Sequence, residues 1–214
     1  WSRGLGDVYK RQIPAMALIH LVDDDFAVTD ACRFLLEGLN YRVQTWHESQ
    51  KFIDSIDPYQ CGVVMLDIRM PGIDGQQVHQ QLRRQNSTLA VVIVTGHGDI
   101  AMAVEEMKLG AVDFLQKPIA AAPLIEALER GIIHSQRQVE QRQRQQLFGA
   151  LTPRERDIAR AVAAGMTNKQ IAESHFIAVR TVEVHRARVM EKMQASSLAE
   201  LVNALNRLTL TSLD

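Results

Sequence analysis

Asp67 closes an apolar run, Gly62-Val63-Val64-Met65-Leu66, and is followed by Ile68-Arg69-Met70-Pro71-Gly72. Such a run ending in Pro-Gly reads as a buried strand stopping in a turn. Open α/β sheets bind ligands at the carboxyl edge, where this acid would sit. Taken alone, Asp67 reads equally well as an acidic turn residue. Three other apolar runs also end in chemistry: Met16–Val22 in Asp23-Asp24-Asp25, Ala90–Val94 in Thr95-Gly96-His97-Gly98, and Val112–Gln116 in Lys117-Pro118. Clustered carboxylates repel, so they call for a divalent cation, and an all-oxygen ligand set favours Mg²⁺. A carboxylate beside such an ion can accept a phosphoryl group as an aspartyl phosphate. The Lys117 ammonium and the Thr95 hydroxyl would then hold the remaining phosphoryl oxygens, because this chemistry depends mainly on positioning and charge neutralisation.

This reading requires the strand ends to share one edge. Helical patterns separate the runs: Phe26–Gly38, with Gly38 as its C-cap, a short helix ending near Ser55, Gln76–Gln85, Ile100–Leu109, and a helix starting near Ala120. With a further strand at Arg42–Trp46, five strands alternate with five helices, which implies a doubly wound parallel sheet. Right-handed crossovers place every strand's carboxyl end on the same edge. Asp23, Asp24, Asp67, Thr95 and Lys117 are therefore expected to converge.

The 214 residues leave room for a second domain, and the charge is divided. Residues 17–134 carry 9 Lys/Arg against 16 Asp/Glu, a net of −7, whereas 135–214 carry 12 against 8, a net of +4. An acidic half joined to a basic half points to different partners, with nucleic acid suited to the basic one. Cys32 and Cys61 lack metal-type spacing and do not form a disulfide framework. No apolar run reaches membrane-span length and no secretory pattern is present, so the expectation is a cytoplasmic protein without a membrane partner. Residues 1–15 lack periodicity and read as a non-native or disordered extension, with the natural start near Met16. The expected divisions are 16–134 for the first domain, 135–149 for a helical linker and 150–214 for the second domain.

The linker is polar nearly all round and rich in helix formers, which suits a solvent-bridging helix. After it, Thr152-Pro153-Arg154-Glu155 is a capping box with proline at the first helical position. Thr167 caps a second helix bearing Ile171 and Ala172. A tight turn at His175-Phe176-Ile177 leads into a third helix, about Val179 to Met193, and Ser197 caps a fourth. Two short helices joined by a tight turn suggest a helix-turn-helix. On the third helix, Val182, Val189 and Met193 form an inward stripe, leaving Arg180, Glu183, Arg186, Ala187 and Arg188 outside. Arginines can neutralise phosphates, and Glu183 can accept a hydrogen bond from cytosine N4.

The runs Val22–Asp25, Leu66–Gly72, Val94–Gly98 and Asp113–Pro118 resemble the receiver domain of two-component response regulators. That resemblance implies a flavodoxin-like fold and a phosphoacceptor at Asp67, phosphorylated by a sensor histidine kinase. It also implies Mg²⁺ held by Asp23, Asp24, Asp67 and the Arg69 carbonyl, a switch pair Thr95 and Phe114, and a cis peptide at Lys117-Pro118. Arg69 and His97 would flank the phosphoryl group. The segment Leu151–Leu205, through Arg180-Thr181-Val182-Glu183-Val184-His185-Arg186-Ala187, resembles the all-α four-helix LuxR-type DNA-binding domain. It implies that Glu183, Val184, Arg186 and Ala187 face base edges, and that Lys169, Arg180, Thr181, Arg188 and Lys192 lie near phosphates. Ala178 and Val179 stand where relatives often have Ser and Pro, and His175 where an apolar residue packs in the turn. Together the halves resemble FixJ-type response regulators, which implies a transcription regulator rather than an enzyme. Phosphorylation would pair two receivers and so bring DNA-binding domains to promoter half-sites. An aspartyl-phosphate phosphatase remains an alternative, although such enzymes commonly need a second acid where Arg69 stands. A constitutive DNA binder with a purely structural receiver is another.

Overall fold

The computed structural model describes residues 17–96 and 99–210, apart from the side chains of 209 and 210. The expectations for residues 1–15 and for His97 lie outside the described residues. The chain divides into two compact units between Val139 and Glu140.

In the first unit, β1 (Leu18–Val22), β2 (Arg42–Trp46), β3 (Gly62–Asp67), β4 (Ala90–Thr95) and β5 (Asp113–Gln116) form one sheet in the order β2-β1-β3-β4-β5. Every pairing is parallel. Helices α1 (Phe26–Gly38), α2 (Ser49–Ser55), α3 (Gly75–Arg84), α4 (Ile100–Lys108) and α5 (Ala121–Gly149) connect or follow the strands. Each residue of β3 and β4 is buried, which explains their unbroken apolar runs: a strand covered on both faces has no polar side to alternate with. Val63 and Met65 point into one apolar layer with Leu36 and Leu128, while Val64 and Leu66 point into the other with Val78 and Ala103. Thus α1 and α5 cover one face, and α2, α3 and α4 the other.

Three local features set the spacing. Gly131 lets α5 lie close to the sheet, because a Cβ there would come within 2.9 Å of Val63 Cγ2. Ser135 Oγ, wholly buried, accepts from Gly62 N at 2.9 Å and donates to Thr88 O at 2.7 Å. The first unit therefore includes residues beyond the expected boundary at 134. The C-terminus of α1 also departs from expectation. Gly38 stays helical, Leu39 is the cap, and Asn40 adopts the left-handed conformation at φ 65°. Asn tolerates that region better than most side chains, so a glycine was not needed.

The second unit holds α6 (Pro153–Ala163), α7 (Asn168–Ser174), α8 (Val179–Lys192) and α9 (Leu198–Leu210). Complete capping boxes start α6 at Thr152/Glu155 and α7 at Thr167/Gln170, satisfying amides that a helix start leaves open. Ile158, Ile171, Val182, Val189, Met193, Leu201 and Leu205 meet in one core. The inward stripe expected on α8 is the one observed.

Candidate functional site

The carboxyl edge of the sheet gathers the strand-end residues. Asp23 and Asp67 are buried, at 4% and 6% exposure, and Thr95 is fully buried. One carboxylate oxygen from each of Asp23, Asp24 and Asp67 lies within 4.8 Å of the others. Lys117 Nζ is 2.7 Å from Asp23 Oδ2 and 3.4 Å from Asp67 Oδ2. The Lys117-Pro118 peptide is cis.

The electrostatics follow from this crowding. Burial and then the Asp23 charge push Asp67 up to about 6, with Lys117 and the Arg69 backbone N–H only partly offsetting them. Burial works against the Lys117 charge, yet its two carboxylate partners outweigh that and hold it above the usual lysine value. Three acids against one ammonium leave an excess of negative charge that a divalent cation would relieve. This donor set fits Mg²⁺, a hard ion that takes oxygen ligands.

Around this centre the structure adds residues that sequence reasoning missed. Gly75, at the start of α3, lies against the acceptor turn: a Cβ there would overlap the Asp67 carbonyl oxygen and sit 2.9 Å from Ile68 Cα. Only the folded backbone reveals this approach. Asp99, before α4, grips the Arg69 side chain, with Nε 2.8 and 2.9 Å from its two carboxylate oxygens. Arg69 was expected to flank the phosphoryl group. Its backbone does border Asp67, while its guanidinium is held by Asp99. Thr95 Oγ1 donates to Gly96 O at 3.2 Å, and Phe114 is 38% exposed, with its ring outside the core.

In the second unit, the open side of α8 carries Arg180, Thr181, Glu183, Val184, Ala187 and Arg188, and Lys169 is exposed on α7. Arg180 pairs loosely with Glu183 at 3.3 Å. Two other residues expected at the DNA have partners within the unit. The Arg186 guanidinium bonds Asn168 Oδ1 and is only half-exposed. Lys192, expected beside a phosphate, instead places Nζ 2.7 Å from Oε2 of buried Glu155. That ammonium, with the Thr152 backbone N–H, holds Glu155 down at about 2. Lys192 is thus committed to the cap of α6, because a buried carboxylate needs its partner. His175 is also accommodated: Arg154 donates to its carbonyl at 3.0 Å and contacts Nδ1 at 3.2 Å.

Known proteins share both halves. Residues 19–129 match the family described as response regulator receiver domain, and 149–205 match bacterial regulatory proteins, luxR family. The tetrathionate response regulatory protein TtrR of Salmonella typhimurium is 58% identical over 90% of this chain and 94% of its own. The transcriptional regulatory protein FixJ of Bradyrhizobium diazoefficiens is 41% identical over 88% of this chain and 94% of its own. Among solved structures, response regulator StyR has a TM-score of 0.69 at 37% identity, covering 90% of this chain and 99% of that one. Full-length FixJ from B. japonicum has 0.53 at 38%, covering 91% and 98%. With a receiver fold ending in an acidic strand-end cluster and a LuxR-type helical domain behind it, the chain belongs to the FixJ-type response regulators.

Proposed function

We propose that a sensor histidine kinase phosphorylates Asp67 and that this controls binding of the second unit to promoter DNA. The observation that carries the reading is the meeting of Asp23, Asp24, Asp67 and Lys117 at one sheet edge, with Thr95 ending the adjacent strand. An Asp67 carboxylate oxygen attacks phosphorus on the kinase's phosphohistidine. The N–P bond breaks, an O–P bond forms, and the histidine leaves. Asp23, Asp24, Asp67 and the Arg69 carbonyl would hold Mg²⁺, which neutralises charge on the transferring group. Lys117 and Thr95 hold phosphoryl oxygens, which draws Lys117 from Asp23 and moves Thr95 toward the new group. Phe114 then turns into the space that Thr95 leaves. Arg69 borders the path of hydrolytic water, so the aspartyl-phosphate lifetime of Arg69→Ala should differ from that of the natural chain.

The readout is a changed α4–β5–α5 surface, where Ile100, Val104, Leu109, Phe114 and Ile133 already expose apolar area. Two receivers pair there as a homodimer and present two DNA-binding units to half-sites about one helical turn apart. On the open side of α8, Glu183, Val184, Arg186 and Ala187 read bases, and Arg180, Thr181, Arg188 and Lys169 meet phosphates. The similarity to a tetrathionate response regulator supports control of tetrathionate-respiration genes. The decisive experiment treats the protein and Asp67→Asn with Mg²⁺ and acetyl phosphate, then measures binding to promoter DNA. Treatment should tighten binding and raise dimer content only where Asp67 is present. Equal binding by both proteins, before and after treatment, would instead make this a constitutive DNA binder with a structural receiver.

A further inference from the structure

At the opposite edge of the sheet from Asp67, a cavity of about 570 Å³ opens between the end of α3, the start of β4, the end of α4 and the middle of α5. Its size is that of a small-molecule site. Arg83, Arg84, His79 and His134 line it, with the polar side chains of Asn86 and Ser87, and no acidic side chain lines it among the described residues. This is unexpected in a unit where residues 17–134 carry a net charge of −7. Arg83 and Arg84 are exposed and have no ion pair among the described residues. Their place in the last turn of α3 suits the helix dipole, but that role alone does not account for the histidines facing them.

His79 is the informative member. It is 98% buried, being 2% exposed, and its Nδ1 lies 2.5 Å from Glu106 Oε2. Glu106 is equally buried, and its other oxygen accepts from Gln76 Nε2 at 3.0 Å. The nearby acid is therefore already satisfied and covered. With Nδ1 on the carboxylate, Nε2 has no bond among the described residues, and in the imidazolium form it carries a second N–H that can be donated to an anion. His134 on α5 is held below its ordinary value by burial and by the Arg137 charge, as expected in a positive recess without a counter-ion.

We propose that this cavity is a second anion site of the receiver unit, taking a small dianionic oxyanion group, as carried by free phosphate or by a small phosphate monoester. Arg83 and Arg84 supply charge-assisted hydrogen bonds, and His79 on α3 and His134 on α5 line the recess beside them. The His79–Glu106–Gln76 chain joins α3 to α4, so the ligand would bias the element next to the acceptor edge. The site rests on the receiver fold and not on phosphorylation of Asp67, and either can fail without the other.

The test uses the full chain in Mg²⁺-free buffer, where the acceptor edge lacks its cation. Histidine ring signals are followed by NMR during titration with inorganic phosphate and, separately, with glycerol 2-phosphate, each at ionic strength matched with chloride. The expected result is a saturable shift of the His79 and His134 signals with at least one probe. The exposed double variant Arg83→Gln/Arg84→Gln should weaken that binding at least about tenfold while leaving folding intact. A tighter response to the monoester identifies an organic ligand, and an equal response identifies free phosphate. Shifts that never saturate, that survive in the double variant, or that are confined to histidines of the second unit would overturn the proposal.

Discussion

A methyl group on Gly75 has nowhere to go, because the atoms it would strike are backbone atoms of Asp67 and Ile68 rather than flexible side-chain ends. Gly75→Ala should therefore displace the acceptor turn, costing about 1–3 kcal/mol in denaturant unfolding and slowing phosphorylation by acetyl phosphate several-fold. His20, at 1% exposure, accepts from Trp46 Nε1 at 3.1 Å and is pushed by burial down to about 4. Above 6.5 the folded and unfolded states both carry a neutral ring, and stability is full. As pH falls from 6.5 toward 4, only the unfolded state takes up the proton, so stability drops by up to about 3 kcal/mol. Unfolding measured at pH 7 and pH 5 should show a steeper loss for the natural chain than for His20→Gln. An identical pH dependence would show that His20 protonates freely in the fold. At this scale the sequence made Asp67, Thr95 and Lys117 legible, because strand ends are marked by where apolar runs stop. It could not show Gly75, Asp99 or His79, whose importance lies in neighbours about 7 to 30 positions away that meet only through packing.

Among the elements, α8 starts without a side-chain cap. Its N-cap, Ala178, has the extended backbone of a cap at φ −69° and ψ 146° but no side-chain oxygen to meet the open amides. Ala178→Ser should supply one and raise the stability of the second unit by about 1 kcal/mol, read as a higher melting temperature. No gain would mean that the helix start is already satisfied in another way. The other end of α8 is fastened by Lys192 to Glu155. Lys192→Met should leave that buried carboxylate without its cation, held only by the Thr152 backbone N–H, and destabilise the unit by about 1–3 kcal/mol, after allowance for a partly exposed ammonium. Helix boundaries and caps were readable because Thr152, Thr167 and Ser197 each bring a local oxygen to a local amide. The end of α1 was misread because Gly38 looks locally sufficient as a cap, and the Lys192–Glu155 pair was not legible because its partners are brought together by tertiary position.

For the molecule as a whole, the division of charge makes the basic unit the natural site for nucleic acid and makes binding sensitive to salt. Each lysine or arginine that neutralises a phosphate releases counterions, so the logarithm of the binding constant falls with the logarithm of salt concentration, by about 0.9 per contact. Arg188, exposed on α8 without an ion pair among the described residues, should count as one contact. Lys192 should not, because Glu155 already holds it. Arg188→Ala should therefore weaken binding to specific and non-specific duplexes alike and flatten the salt dependence by about one unit of slope. Lys192→Met, assayed well below its melting temperature, should bind with an unchanged slope. Titrations of promoter and unrelated duplex across a range of salt concentrations separate the two cases. A slope lowered equally by both substitutions would mean that DNA draws Lys192 away from Glu155 and that the cap of α6 is remade in the complex.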